Sequence, residues 1–256
     1  MPLLKYLRRQ WIRSRPFPGD WLQVLKHRVP VYRHLPDSAR KKLLSRIKIF
    51  LDEKIFEGCG GFTVTEESRV IIAAHACMLI LEEESGYYPS LKSILVYPKD
   101  YMAPVYEQDD GGVVTEGWES RSGESWNPGN IVLSWSDIKS DLQKPYDGSN
   151  LIYHEFAHQL DYQYGVSEGI DPYGETDSED EWSIELARTY RSLLKKAKRG
   201  GRDVLDLYGA TAPAECFAVA TECFLEKPVP FRQQYPELYK HLESFYGYDP
   251  AAFLPG

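Results

Sequence analysis

The sequence predicts a mainly helical α+β fold with a small mixed sheet. Three observations lead there. Apolar residues recur at helical spacing over the first 85 residues. Short β-branched and aromatic runs occupy the middle, and helical patterns return from Asn150 onward. No internal repeat or low-complexity tract interrupts the 256 residues, a length that suits one large domain or two small ones. The change of character near residue 85 divides the chain into a basic helical region, 1–85, packed on a second region, 86–256, in one compact unit.

Taken in order, the stretch Ser38 to Phe56 carries Leu43, Leu44, Ile47, Phe50 and Leu51, a helical stripe with a basic outer face. "EGCGGF" (57–62) lacks the strand, Lys and Ser/Thr context of a phosphate loop and reads as a turn. The apolar run Val70 to Leu81 contains His75 and is too short to span a bilayer; it predicts a buried helix. "SILVYP" (93–98) and "NIVLSW" (130–135) read as strands. The Gly-, Ser- and acid-rich stretch 107–129 between them has room for one more strand or hairpin.

"NLIYHEFAHQLDYQYG" (150–165) opens the second helical part, followed by an acidic connector, 165–180, with no basic residue. Ser178 and Glu181 match a capping box, which predicts a helix from Ser178 to "KKAKRGG". "APAECFAVATECFLEKP" (212–228) is the next helix, with Pro213 in its first turn and Pro228 past its end. "FRQQYPELYKHLESFYG" (231–247) reads as the last.

Composition narrows the class. Hydrophobic content of 43% and charged content of 27% are those of a soluble globular protein. The net charge of −8 is unevenly spread. Residues 1–48 hold 13 Lys and Arg against 2 acids (+11), and the remainder holds 17 against 36 (−19). A basic arm of this kind pairs with the acidic body or meets an anionic surface; no motif for nucleic-acid recognition accompanies it. The start of the chain has no apolar core of a secretory signal, and the four cysteines form no CxxC pair. Reduced thiols and a cytoplasmic setting are the expectation.

The chemistry concentrates at His154, Glu155 and His158. One helical turn separates the two histidines, so both imidazoles share a face and can converge on one ion at about 2.0–2.1 Å. Glu155 lies about 100° round the helix, beside that ion, where a carboxylate can accept a proton from water. A hydrolytic site of this kind needs a third protein ligand and an open fourth position. The pattern HExxHxxGxxH is excluded, because Asp161 stands at its glycine and Tyr164 at its last histidine. Asp161 shares the histidine face but sits about 10 Å beyond His154 along the axis, so it suits a bond to a ligand histidine or a turn cap. Glu181, Glu185, Glu215 and Glu222 are the candidates from later helices. Glu215 and Glu222 lie among apolar residues, where a carboxylate is costly unless paired or bound to metal. Their spacing of seven puts both on one face and does not rank them. Cys216 and Cys223 read as core.

Four segments carry a resemblance: "HEFAHQLD" (154–161), the longer "LIYHEFAHQLD" (151–161), "YGATAPAECFAVATECF" (208–224) and "SGESWNPGNIVLSWSDI" (122–138). In order, they resemble the Mlc titration factor A family, or DgsA anti-repressors, which are bacterial zinc-dependent peptidases of gluzincin type. The catalytic domain of anthrax lethal factor has a similar HEFxHxxD and Tyr-x6-Glu arrangement. The resemblance runs through most of Leu91 to Tyr246; the first 85 residues match only in helical character, and the basic arm has no counterpart. It implies a zincin-like fold for 86–256, one zinc ion held by His154, His158 and Glu215, Glu155 as general base, and Tyr208 as a phenol facing the reacting carbonyl. It also implies a peptide substrate. The partner it implies is a transcriptional repressor of the Mlc type that governs sugar-uptake genes, so the alternative is a protein that chiefly sequesters a repressor. On its own, Tyr208 is one of 18 tyrosines and equally a core or surface residue. "NIVLSW" is expected as an edge strand beside the HExxH helix, open to an extended peptide.

Overall fold

The computed structural model describes residues 2–83, 86–99, 101–108, 114–121, 123–127, 129–168, 170 and 180–255. The chain begins with four helices: α1 (Pro2–Ser14), α2 (Gly19–Arg28), α3 (Pro30–His34) and α4 (Asp37–Glu53). Strand β1 (Ile55–Gly58) and helix α5 (Glu66–Leu79) follow. The middle holds β2 (Ser93–Tyr97), β3 (Tyr101–Gln108), β4 (Val114–Arg121), β5 (Gly123–Asn127) and β6 (Asn130–Ser134). The rest is α6 (Trp135–Gln143), α7 (Leu151–Tyr164), α8 (Glu181–Lys198), a 3-10 turn at Leu207–Ala210, α9 (Pro213–Glu226), α10 (Pro228–Gln234), α11 (Pro236–Tyr246) and a final 3-10 turn at Pro250–Ala252.

The sheet has the order β1-β2-β6-β5. β1, β2 and β6 are parallel, and β5 returns antiparallel on β6. β3 and β4 form a separate antiparallel pair. The mainly helical α+β class therefore holds, with a mixed sheet.

Several elements differ from the sequence reading. β6 is not an edge strand: β2 flanks it on one side and β5 on the other. The stretch 107–129 supplies more than one strand or hairpin, since β4 and β5 both lie in it. The turn at "EGCGGF" is preceded by β1, whose last residue is Gly58. A Cβ there would sit 2.0 Å from the Phe62 carbonyl oxygen, so the chain can fold back on the strand end only at glycine. The final helical stretch is two helices. Pro236 has no N–H to donate and forces Tyr235 into a non-helical conformation (φ −131°, ψ 62°), which separates α10 from α11. Ser178 lies outside the described residues; α8 begins at Glu181, where the Asp180 carboxylate accepts from the Ser183 amide at 3.1 Å.

One apolar core runs through both halves of the chain. Leu43, Ile47 and Phe50 of α4 are fully buried, as their spacing requires. So are all residues of α5 from Val70 to Met78 bar His75, which keeps a trace of exposure and whose Nδ1 meets the Ile71 carbonyl at 2.9 Å. Thr65 and Ser68 close a reciprocal cap at the start of α5. Helix α7 lies centrally, against α5 and α9. Its Phe156 ring packs on Phe50 and Tyr88 with centroids 5.8 and 4.9 Å away. Among the described residues no helix is long and apolar enough to cross a membrane.

Candidate metal centre

Helix α7 starts at Asn150, whose side-chain oxygen accepts from the Tyr153 amide at 3.2 Å, and ends at Gly165 in the left-handed region (φ +62°). Ile152, Tyr153, Phe156, Ala157 and Leu160 bury one side of it. That packing fixes the helix rotation and leaves His154 and His158 only partly covered. Helix α9 crosses against α7, with Pro213 at its first position and Glu215 in its first turn.

Three ligand-type atoms meet between these helices. His154 Nε2 lies 2.9 Å from Glu215 Oε2 and 3.2 Å from His158 Nε2, and His158 Nε2 lies 3.4 Å from the same Glu215 oxygen. Among the described residues this is the one cluster of three His, Cys, Asp or Glu side chains close enough to hold a metal ion.

The donor set fits such an ion. Four ligands placed tetrahedrally at about 2.0–2.1 Å from zinc stand about 3.3 Å apart, which is the size of this triangle. The proton count points the same way. His154 Nδ1 lies 2.7 Å from Glu222 Oε1, so that nitrogen donates to the carboxylate. In a neutral ring, Nε2 then presents a lone pair to the Glu215 carboxylate. Two acceptors at that distance require a cation: a second proton on the ring, or a metal. Burial acts to lower the His154 pKa, but hydrogen bonds with Glu215 and Glu222 outweigh it and raise it well above the ordinary value. Burial likewise works to raise the Glu215 carboxyl, yet the two histidines carry it down to about 2.

Glu155 is 5% exposed, and its Oε2 is a buried acceptor with no hydrogen-bond partner. Burial pushes this carboxyl up to about 7, against the pull of His154 and His158. A desolvated carboxylate oxygen left without a partner beside the histidine pair is costly as pure architecture. Tyr208 sits in the 3-10 turn ahead of α9, 54% exposed, with its ring centroid 5.9 Å from that of His154. The turn is seated there through Gly209, where a Cβ would come within 3.3 Å of the Cys216 Cα.

Not every candidate gathers here. Asp161 does not touch a ligand histidine; its carboxylate accepts from the Ser167 amide and hydroxyl, both at 2.6 Å, and so caps the turn after α7. Glu185 is paired with Arg188 at 2.7 Å, and Glu181 is exposed at the start of α8. Burial pushes the Cys216 and Cys223 thiols up to about 12, in keeping with core residues.

Glu222, left level with Glu215 by spacing alone, has a distinct place. Its second oxygen accepts from the Asn150 amide at 2.6 Å, so one carboxylate ties the start of α7 to the His154 ring. Sequence reasoning missed two companions. Glu226 accepts from Asn150 Nδ2 and the Tyr146 amide at 3.0 and 2.6 Å, and Asp141 accepts from the Leu151 amide at 2.9 Å. The signal for Glu226 was present: it follows Glu222 by four residues on an apolar helix.

Comparison with known proteins gives the family. A family model described as glucose-regulated metallo-peptidase M90 matches residues 3–247. The chain belongs to the M90 family. A relative named Mlc titration factor A from Yersinia enterocolitica is 30% identical over 239 residues, covering 92% of this chain and 88% of the relative. One of the same name from Serratia proteamaculans is 31% identical, covering 92% and 89%. An uncharacterized protein from Synechocystis is 41% identical over 238 residues, covering 93% and 86%. The M90 match takes in the N-terminal helices as well as α7 and α9, so the relationship is wider than the segments in which it first shows. Membership in M90 implies a metal, and the His-His-Glu cluster is where this chain offers ligands for one.

Proposed function

We propose that the protein is a zinc-dependent peptidase with a zincin-like catalytic region, 86–256, on which residues 1–85 pack as part of one unit. The observation that carries this is the His154–His158–Glu215 triangle beside a buried carboxylate with one unpartnered oxygen. Bound there, zinc supplies Lewis acidity toward the scissile carbonyl and lowers the pKa of a water toward about 7.

The chain's own groups do the rest. Glu155 takes the proton of the attacking water and hands it to the leaving amine. Burial acts to raise its carboxyl, which favours taking up that proton. Tyr208 donates its phenolic proton to the oxyanion. Glu222 holds the His154 ring in one tautomer. β5 is one of the two outer strands of the sheet and lies beside α7, so an extended substrate can add there by backbone hydrogen bonds, in place of the β6 edge expected from sequence.

Glu155→Gln is expected to keep zinc and lose hydrolysis of a peptide library. The same library, with and without chelator, reports whether chain ends or interior bonds are cut. Turnover that survives in the variant removes Glu155 from the mechanism. A second reading follows from the name Mlc titration factor A carried by the relatives: the chain binds a repressor of that type in the cytoplasm, and peptidase activity is secondary. The Glu155→Gln protein separates the two, because sequestration of a repressor survives the loss of a base.

A further inference from the structure

Helix α1 is mounted with its apolar side outward. At 100° per residue, Leu3, Leu4, Leu7 and Trp11 fall within an arc of about 100°, and Ile12 points to the opposite side. Ile12 is the buried residue, at 6% exposure, while Leu3, Leu4, Leu7 and Trp11 are 67%, 72%, 53% and 58% exposed. The inward side is held by charge. Arg9 pairs with Glu53 at 2.6 Å, Arg8 with Asp52 at 2.9 Å and Lys5 with Glu53 at 3.4 Å. The Arg9 guanidinium also lies 4.4 Å from the Tyr87 ring centroid. Ion pairs thus fix the helix from below and leave three leucines and a tryptophan in water, a contiguous patch that soluble proteins rarely expose without use.

We propose that this face of α1 is a docking surface for an anionic lipid bilayer. One border is cationic: Arg8, with 64% of its side chain exposed, and Arg15 flank that side of the arc. The helix contains no acid. The Arg15 guanidinium stands 4.6 Å from the Trp11 ring centroid, beside the apolar patch. An apolar stripe bordered by cations suits a helix lying in the interface plane, with leucine side chains among the acyl chains, Trp11 at headgroup depth and Arg15 reaching the phosphates. A second copy of this face offers no acid to meet the Arg8 and Arg15 border, whereas an anionic bilayer offers phosphates, so charge favours the bilayer. The surface needs no ordering on contact, because Asp52 and Glu53 already hold it.

Co-sedimentation of the full chain tests this, with vesicles of phosphatidylcholine alone and of phosphatidylcholine mixed with phosphatidylglycerol. The protein is expected to bind the mixed vesicles at least about tenfold more strongly, and more weakly as salt rises. Leu4→Glu combined with Trp11→Glu is expected to lower that binding at least about tenfold, with an unchanged melting temperature because both side chains are exposed. Leu3→Ser with Leu7→Ser is expected to act the same way. No binding to the mixed vesicles, or equal binding by the variants, overturns the proposal. So does a dimer of the unaltered protein that the substitutions dissolve, which would assign the face to a second copy.

Discussion

At the scale of single residues, the site divides its two α9 carboxylates by which histidine nitrogen each one meets. Glu215 faces Nε2 of His154 and Glu222 faces Nδ1 of the same ring. Glu222→Gln keeps the shape but weakens the acceptor, and a substitution at such a position typically costs about 10–100-fold in metal affinity. Competition with a chelator dye reads that loss directly, and Glu215→Ala should cost more. Tyr208→Phe is expected to leave zinc content intact and to cut kcat by about 10²–10³, the range for removing one oxyanion donor. An unchanged rate would leave Tyr208 structural. The histidine pair was legible because a spacing of four has one geometric meaning on a helix. Glu215 and Glu222 were not separable, because a spacing of seven gives face without position along the axis. Only the crossing of α9 on α7 supplies that position.

At the scale of elements, the start of α7 is a junction of three carboxylates, Asp141, Glu222 and Glu226, each accepting from an amide at or just before the helix start. Such anions complement the positive end of the helix dipole. Their burial has a cost that depends on pH. Burial is the main cause that pushes Asp141 and Glu226 each up to about 7. A folded chain with raised carboxyl pKa values binds more protons than the unfolded chain between about pH 4 and 7. The contribution is therefore full below about pH 4, is lost as pH rises to 7 and is flat above. Urea unfolding between pH 5 and 8 should show the unaltered protein losing stability relative to Asp141→Asn combined with Glu226→Gln. A parallel pair of curves would mean that these groups titrate normally. Helix α7 itself was readable from its motif and apolar spacing. The junction was not, since its members come from α6, α9 and the loop before α7. β1 escaped for a related reason: four residues against a glycine turn are too few to display a period of two.

At the scale of the whole molecule, the uneven charge was visible in the sequence and its use was not. Basic residues of the first 48 pair with Asp52, Glu53, Glu67 and Glu82, which lie within or close to the same N-terminal half. A helical period shows that α1 has two faces without telling which one packs. The candidate metal site joins distant elements within the C-terminal half. Its ligands come from α7 and α9, and His154 and Glu215 are 61 positions apart. The unfolded chain does not hold them together, so an ion that binds the native arrangement stabilises the entire fold through linkage. With free metal at 100 times its dissociation constant that gain is about 2.7 kcal/mol. For a chain of this size it corresponds to a melting temperature about 5–10 °C higher. Chelation should remove the increment and added zinc restore it. Glu215→Ala should show no response to either, because the triangle is broken, whereas Glu155→Gln should respond in full, since its carboxyl belongs to the reaction and not to the ligand set. A melting temperature indifferent to zinc in both variants and in the unaltered protein would mean that α7 and α9 are joined by packing and hydrogen bonds alone.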